Sequence, residues 1–186
     1  MSDRQTDGEA DLQLLRGLAK GDQFAAASIV DRLLPVVRRM AFRLSGWQAD
    51  IQDVVQDVFL AIQTSADSFR GESSLETWAV GITIRCSRKQ RSRREPKLCE
   101  ELDVLPDHQF ADQCDRDETS EEVRLAMQQL SREQHELLVL RYLEDWSLDR
   151  LAEFYQVRRN TLEVRLNRAR KRLGDILTRM QSMQPK

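Results

Sequence analysis

The sequence predicts an all-α protein: two small helical domains, an N-terminal helical bundle and a C-terminal helix-turn-helix domain, joined by a flexible acidic linker. Three observations carry that expectation. The 186 residues hold only seven glycines and four prolines, which favours long regular elements over a turn-rich β fold. Apolar residues recur at three- and four-residue spacing in both halves, and most such stretches begin at a residue able to cap a helix. Between them lies a stretch with two prolines, many acids and few large apolar residues, EPKLCEELDVLPDHQFADQCDRDETSEE, the composition of a solvated tether. The expected boundaries are 10–94, a linker over 95–119, and 120–180.

In the first half, Leu12, Leu15 and Leu18 share one helical face. Gly21 then stops that segment and leaves Asp22 to cap the next. The run QFAAASIVDRLLPVVRRMAFRL is apolar at helical spacing, and Pro35 is expected either to break it in two or to sit in the first turn of a second helix. Asp50 can cap the helix IQDVVQDVFLAIQTS, whose stripe of Ile51, Val54, Val55, Val58, Phe59 and Ile62 leaves Asp53 and Asp57 on a wetter face. After the break FRGESS, Ser73 and Glu76 read as a capping box for LETWAVGITIRCSRKQRSRR.

In the second half, Thr119 with Glu122 and Ser131 with Gln134 read as capping boxes, and Ser147 as a further N-cap. A short helix SLDRLAEFY, a turn QVRR and a long basic helix NTLEVRLNRARKRLGDIL follow, which is the helix-turn-helix order. Leu162, Leu166, Ala169 and Leu173 form the inner stripe of the long helix, with Arg158, Arg159, Arg165, Arg168 and Arg172 away from it.

The formal net charge of -2 hides strong segregation. Arg85, Arg88, Lys89, Arg91, Arg93 and Arg94 form a basic block without an acid. Eleven acids against Lys97 and Arg116 fill 95–122, and seven basic residues against Glu163 fill 158–172. Two cationic blocks around an acidic stretch suit a protein that meets a polyanion at two places. Other classes are excluded. The longest uncharged run, 58–66, is far shorter than the roughly 20 residues of a membrane span, so no membrane is expected as partner. The polar, acidic start does not read as a signal peptide. Cys86, Cys99 and Cys114 include no CxxC pair, which points to a reducing cytoplasm.

The sequence resembles the extracytoplasmic-function group of bacterial sigma factors over about 10–94 and 120–175. The resemblance rests on four stretches in order. Asp50, Asp53, Val54, Val55, Gln56, Asp57, Val58 and Phe59 match the family's acidic clamp-binding helix. Phe69, Arg70, Gly71, Glu72, Ser73, Ser74, Leu75, Thr77 and Trp78 match its F-R-G-E-S-S-F-x-T-W stretch. Leu140, Arg141, Tyr142, Glu144, Ser147, Leu148, Leu151 and Ala152 match the first part of its C-terminal domain. Thr161, Leu162, Arg165, Leu166, Arg168, Ala169, Arg170 and Leu173 match its closing helix.

The resemblance implies a factor that binds core RNA polymerase, recognises and melts the minus-ten promoter element, and reads the minus-thirty-five element as duplex. Asp50, Asp53, Gln56 and Asp57 would meet the polymerase clamp, with Val54 and Phe59 as apolar anchors. Phe69, Arg70, Gly71, Ser73, Ser74, Thr77 and Trp78 would meet the minus-ten element, the loop around Gly71–Ser74 capturing a flipped base, with Arg85, Arg88 and Lys89 along the phosphates; Trp78 reads as core at least as much as stacking platform. Arg158, Arg159, Asn160, Thr161, Glu163, Arg165, Arg168 and Lys171 would face the minus-thirty-five duplex. Gln52 stands where the family often has Glu, and Arg85 where it often has Asn. Glu163 replaces a frequent cation and could accept from a cytosine amino group or repel a phosphate. An anti-sigma factor is a further implied partner.

The linker could mimic nucleic acid in the polymerase, shield the two modules from free DNA, or act only as a tether. Cys99, His108 and Cys114 are too scattered for a metal site, and neither metal nor cofactor is expected. A polymerase-independent helix-turn-helix regulator is the alternative function, although it leaves the Asp53/Asp57 face and the 69–78 stretch unexplained. An enzyme is not expected, because paired Asp53 and Asp57 come with no histidine, phosphate loop or nucleophile motif nearby.

Overall fold

The computed structural model describes the backbone over 3–47, 51–94 and 120–183, and side chains over 8–47, 51–90 and 120–182. All regular elements among these residues are helical. The chain divides into two compact units, Met1–Arg116 and Asp117–Lys186. The expected linker over 95–119, with Cys99, His108, Cys114 and Thr119, lies outside the described residues, as does Asp50.

The first unit contains α1 (Asp3–Ala19), α2 (Gln23–Leu44), α3 (Gln52–Ser65), a 3-10 turn Ala66–Ser68 and α4 (Leu75–Arg94). Gly21 turns the chain after α1 with φ +81, and the Asp22 carboxylate caps α2 by accepting from the Phe24 N–H at 2.9 Å and the Ala25 N–H at 3.5 Å. At Gly17 a Cβ would lie 2.8 Å from the Ala25 Cβ, so only glycine permits this approach of α1 to α2. Helix α4 packs on both α2 and α3, and α1 lies against α2 and the 3-10 turn. Leu15, Ile29, Leu33, Val37, Val54, Val58, Ile62, Leu75, Ala79 and Ile82 are among the side chains that fill the space between them.

Pro35 does not divide α2, which runs unbroken through it. The ring sits on the exposed face, where water can satisfy the freed carbonyl, while Leu33 and Val37 on either side stay buried in one stripe. Nor does Ser73 cap α4. The first helical residue is Leu75, so the N-cap is Ser74, whose Oγ accepts from the Thr77 N–H at 3.2 Å and lies 2.9 Å from the Thr77 hydroxyl. At α3 the N-cap position is Ile51, with no side-chain cap.

The second unit contains α5 (Glu121–Gln128), α6 (Arg132–Leu138) ending in a π-helical turn Val139–Leu143, α7 (Leu148–Tyr155) and α8 (Arg159–Met183). Ser120, one residue after the expected position, caps α5 by accepting from the Val123 N–H at 3.4 Å. Ser131 and Gln134 form the expected capping box, and Ser147 caps α7. Helix α8 lies against α5, α6 and α7, burying Leu162, Leu166, Ala169 and Ile176. The buried His135 and Glu136 side chains are paired. The His135 ring bonds the Met127 carbonyl at 3.1 Å, and the Tyr155 hydroxyl donates to Glu136, tying α7 to α6. Arg141 donates to the Trp146 carbonyl at 2.8 Å, and the Arg150 guanidinium stacks 3.7 Å from the Trp146 ring. Gln156, at φ +53, occupies the left-handed position that turns α7 into α8.

Candidate nucleic-acid and polymerase interfaces

The sequence places apolar residues of α3 inward, and the exposed remainder is what a partner can touch. Gln52, Asp53 and Gln56 are exposed and Asp57 is half-buried. Val54, expected as an anchor for the polymerase, is only 4 % exposed and belongs to the core; Phe59 is partly buried against it. The apolar group this face offers is Leu60, 52 % exposed and four residues beyond Gln56, one helical turn along the same side. The acidic side also meets α4. The Gln90 side-chain N–H donates to Asp53 at 3.3 Å. Burial pushes the Cys86 thiol up, and the Asp57 charge adds to it.

The loop between α3 and α4 begins in the core. Phe69 is buried with its ring tilted against Trp78 at 5.3 Å, so both aromatics anchor the loop rather than presenting free stacking faces. Beyond Phe69 the chain is at the surface: Arg70, Glu72, Ser73 and Ser74 are exposed. Gly71 adopts φ +71 with Leu12 of α1 against it, and a Cβ there would come 3.3 Å from the Leu12 Cδ1. Ser74 and Thr77 serve as the cap of α4. Two to three turns further, Arg85, Arg88 and Lys89 are exposed and share one side of α4.

Sequence reasoning missed the group that fixes this loop. Asp11 is 1 % exposed. Its Oδ1 accepts from Arg32 at 2.6 Å and its Oδ2 from the Leu75 N–H at 3.2 Å. The same guanidinium donates from Nε to Glu76 at 2.6 Å. Burial pushes the Glu76 carboxyl up, but the hydrogen bond and charge of Arg32, with hydrogen bonds from its own backbone N–H and Ser74, together hold it below its ordinary value. The Glu76 bond in turn raises the Arg32 guanidinium. The signal was present: Asp11 stands four and seven residues before Leu15 and Leu18, on the inward face, where an unpaired carboxylate is costly.

At α8 the basic residues separate into two sets. Arg159 is clamped by Asp149 at 3.0 Å and by Glu163 at 3.2 Å, and Arg165 donates to Glu133 at 2.9 Å. The Glu163 carboxylate is therefore turned to Arg159, not to an incoming base or phosphate. Arg158, Asn160, Thr161, Arg168 and Lys171 are exposed. Thr161, Val164, Arg168 and Lys171 follow at three- and four-residue steps opposite the buried stripe. Val164, 48 % exposed, is the apolar member of that line and was not singled out from sequence.

Residues 29–96 match the family Sigma-70 region 2, and residues 120–173 match Sigma-70, region 4. The chain is 29 % identical over 170 residues to the ECF RNA polymerase sigma factor SigM of Mycobacterium tuberculosis, covering 90 % of this chain and 85 % of the relative. It is 28 % identical over 182 residues to the RNA polymerase sigma-H factor of Pseudomonas aeruginosa, covering 91 % and 94 %. Two solved structures share the fold at 23 % identity. One is CnrH in complex with the cytosolic domain of CnrY, at a TM-score of 0.61 over 91 % of this chain and 97 % of that one. The other is the sigma factor RpoE of Bartonella quintana in complex with the anti-sigma factor NepR, at 0.57 over 80 % and 94 %. Among the described residues no helix is long and apolar enough to cross a membrane.

Proposed function

Since the chain belongs to the extracytoplasmic-function sigma factors, transcription initiation factors that direct core RNA polymerase to promoters, we propose how its surfaces share that work. Residues 10–94 act as sigma domain 2 and 120–180 as sigma domain 4, with 95–119 as the tether. The Gln52, Asp53, Gln56, Asp57 and Leu60 face of α3 docks on the polymerase, acids steering and Leu60 anchoring. The Arg70–Ser74 loop takes a base extruded from the minus-ten element, and Arg85, Arg88 and Lys89 hold the phosphates beside it. Helix α8 enters the minus-thirty-five major groove with Asn160, Thr161 and Val164 toward base edges. Arg158, Arg168 and Lys171 lie toward phosphates.

One observation carries this division. The first unit presents an acidic, Leu60-bearing face and a separate cationic side of α4, while the second presents an exposed cationic line on its recognition helix. A polymerase-independent regulator uses the second set only. The factor itself makes and breaks no covalent bond, works in the cytoplasm beside the polymerase, and takes an anti-sigma protein as a further partner, as the Bartonella quintana relative does.

The test is transcription from genomic fragments by core polymerase with the native chain, alongside retention on immobilised core. The Asp53→Arg, Asp57→Arg double variant is expected to keep its helical circular dichroism and lose retention. Equal retention of variant and native protein overturns the docking face.

A further inference from the structure

We propose that α1, upstream of the residues matched to Sigma-70 region 2, is a working part of the minus-ten reader, with Asp11 as the positioning residue that sets the Arg70–Ser74 loop. This rests on the base-capture reading above and extends it to a helix that carries none of the expected site residues. Consecutive residues of α1 touch the loop at two points. Asp11 accepts from the N–H of Leu75, the residue that follows the loop and opens α4, at 3.2 Å. Leu12 lies against Gly71, where even a Cβ would approach its Cδ1 to 3.3 Å.

The rest of the network fixes Asp11 itself. Arg32 of α2 bonds Asp11 at 2.6 Å and Glu76 of α4 at 2.6 Å, so one guanidinium ties three helices at the loop's exit. Apolar contacts alone could hold these helices together, as Leu15 does one turn further on. A carboxylate buried to 1 % exposure adds direction. Its two oxygens each need a donor at a set angle, so the orientation of the first α4 N–H, and with it the path of the loop, is specified. Capture of an extruded base depends on such a preformed path, because loop ordering at the moment of binding would be added to the cost of unstacking.

The experiment uses reconstituted holoenzyme. The probe is the non-template minus-ten strand of a promoter that native holoenzyme transcribes, labelled with 2-aminopurine beside the captured base, together with the same strand abasic at that base. Asp11→Asn and Glu76→Gln remove charge and keep volume, whereas Asp11→Ala removes both. The preference for intact over abasic strand is expected to fall at least tenfold in Asp11→Ala and about threefold in Glu76→Gln, with core retention and the minus-thirty-five footprint unchanged. A loss of folded protein weakens both strands in proportion and leaves the ratio intact. A native ratio in all three variants therefore overturns the positioning role while leaving base capture standing. A native holoenzyme that does not distinguish the two strands overturns base capture, and the role of Asp11 with it.

Discussion

The two regions proposed to face DNA would solve the same problem with opposite means. In the first unit the proposed reading element is a loop, and it is held by bonds that span long stretches of sequence: Asp11 to Arg32, Arg32 to Glu76, Asp11 to Leu75. In the second unit the proposed reading element is a helix, whose backbone geometry is satisfied internally. Its polar clamps at the entry, Asp149 and Glu163 on Arg159, are exposed and short in sequence range. A loop inherits its shape from the tertiary fold, while a helix brings its own. Damage to a distant residue should therefore disturb the first reader and spare the second.

The largest break in that comparison comes from Arg32→Ala. It strands a buried carboxylate, an event that costs about 3–5 kcal/mol in a dry interior. Because the Arg32 side chain is 38 % exposed, water can reach the vacated site, and about 2 kcal/mol is expected here. Hydrogen exchange should accelerate in α1 and the first turn of α4 and remain native in α8. Equal acceleration in both units would break the assignment of Arg32 to the first reader alone.

Next in size is Gly71→Ala. A side chain at φ +71 costs roughly 1–2 kcal/mol, and Leu12 must also give way. Holoenzyme binding to the minus-ten strand should weaken about tenfold, with the minus-thirty-five footprint intact. Ser131→Ala is the mirror test. Losing its half of the capping box should cost the second unit about 1 kcal/mol, read as a lower melting temperature for that unit and native minus-ten strand binding.

The same contrast explains what the sequence discloses. Local rules found the helices of both units, the Ser131 box and the Asp22 and Ser147 caps, because capping and periodicity are written within a few residues. They misplaced the α4 cap by one position, since Asp11, sixty-four residues away, takes the Leu75 N–H and settles where the helix begins. They split α2 at Pro35, because the stripe that keeps the helix whole is clamped by α4, which local propensity does not see. They placed Val54 in the apolar stripe and yet also gave it to a partner, for the acidic motif is continuous in sequence but not on the surface. Leu60 and Val164 were hidden for the converse reason: each looks like another core residue until the packing leaves it outside.

The smallest effect on stability, and the sharpest on recognition, is expected from Asp149→Ala. Both partners of the Asp149–Arg159 pair are more than half exposed, so thermal unfolding should not shift measurably. What changes is the charge presented to DNA at the start of α8. With Asp149 gone, Arg159 keeps only Glu163, four residues along its own helix, and can swing toward a phosphate. The affinity of holoenzyme for the minus-thirty-five duplex should rise at low salt, and its logarithmic salt dependence should steepen by about one unit, the counterion release expected for one added phosphate contact. An unchanged slope would mean that Arg159 already leaves Asp149 when DNA arrives. The clamp would then be a feature of the free protein, and the second reader would be as free of outside support in the complex as its helix allows.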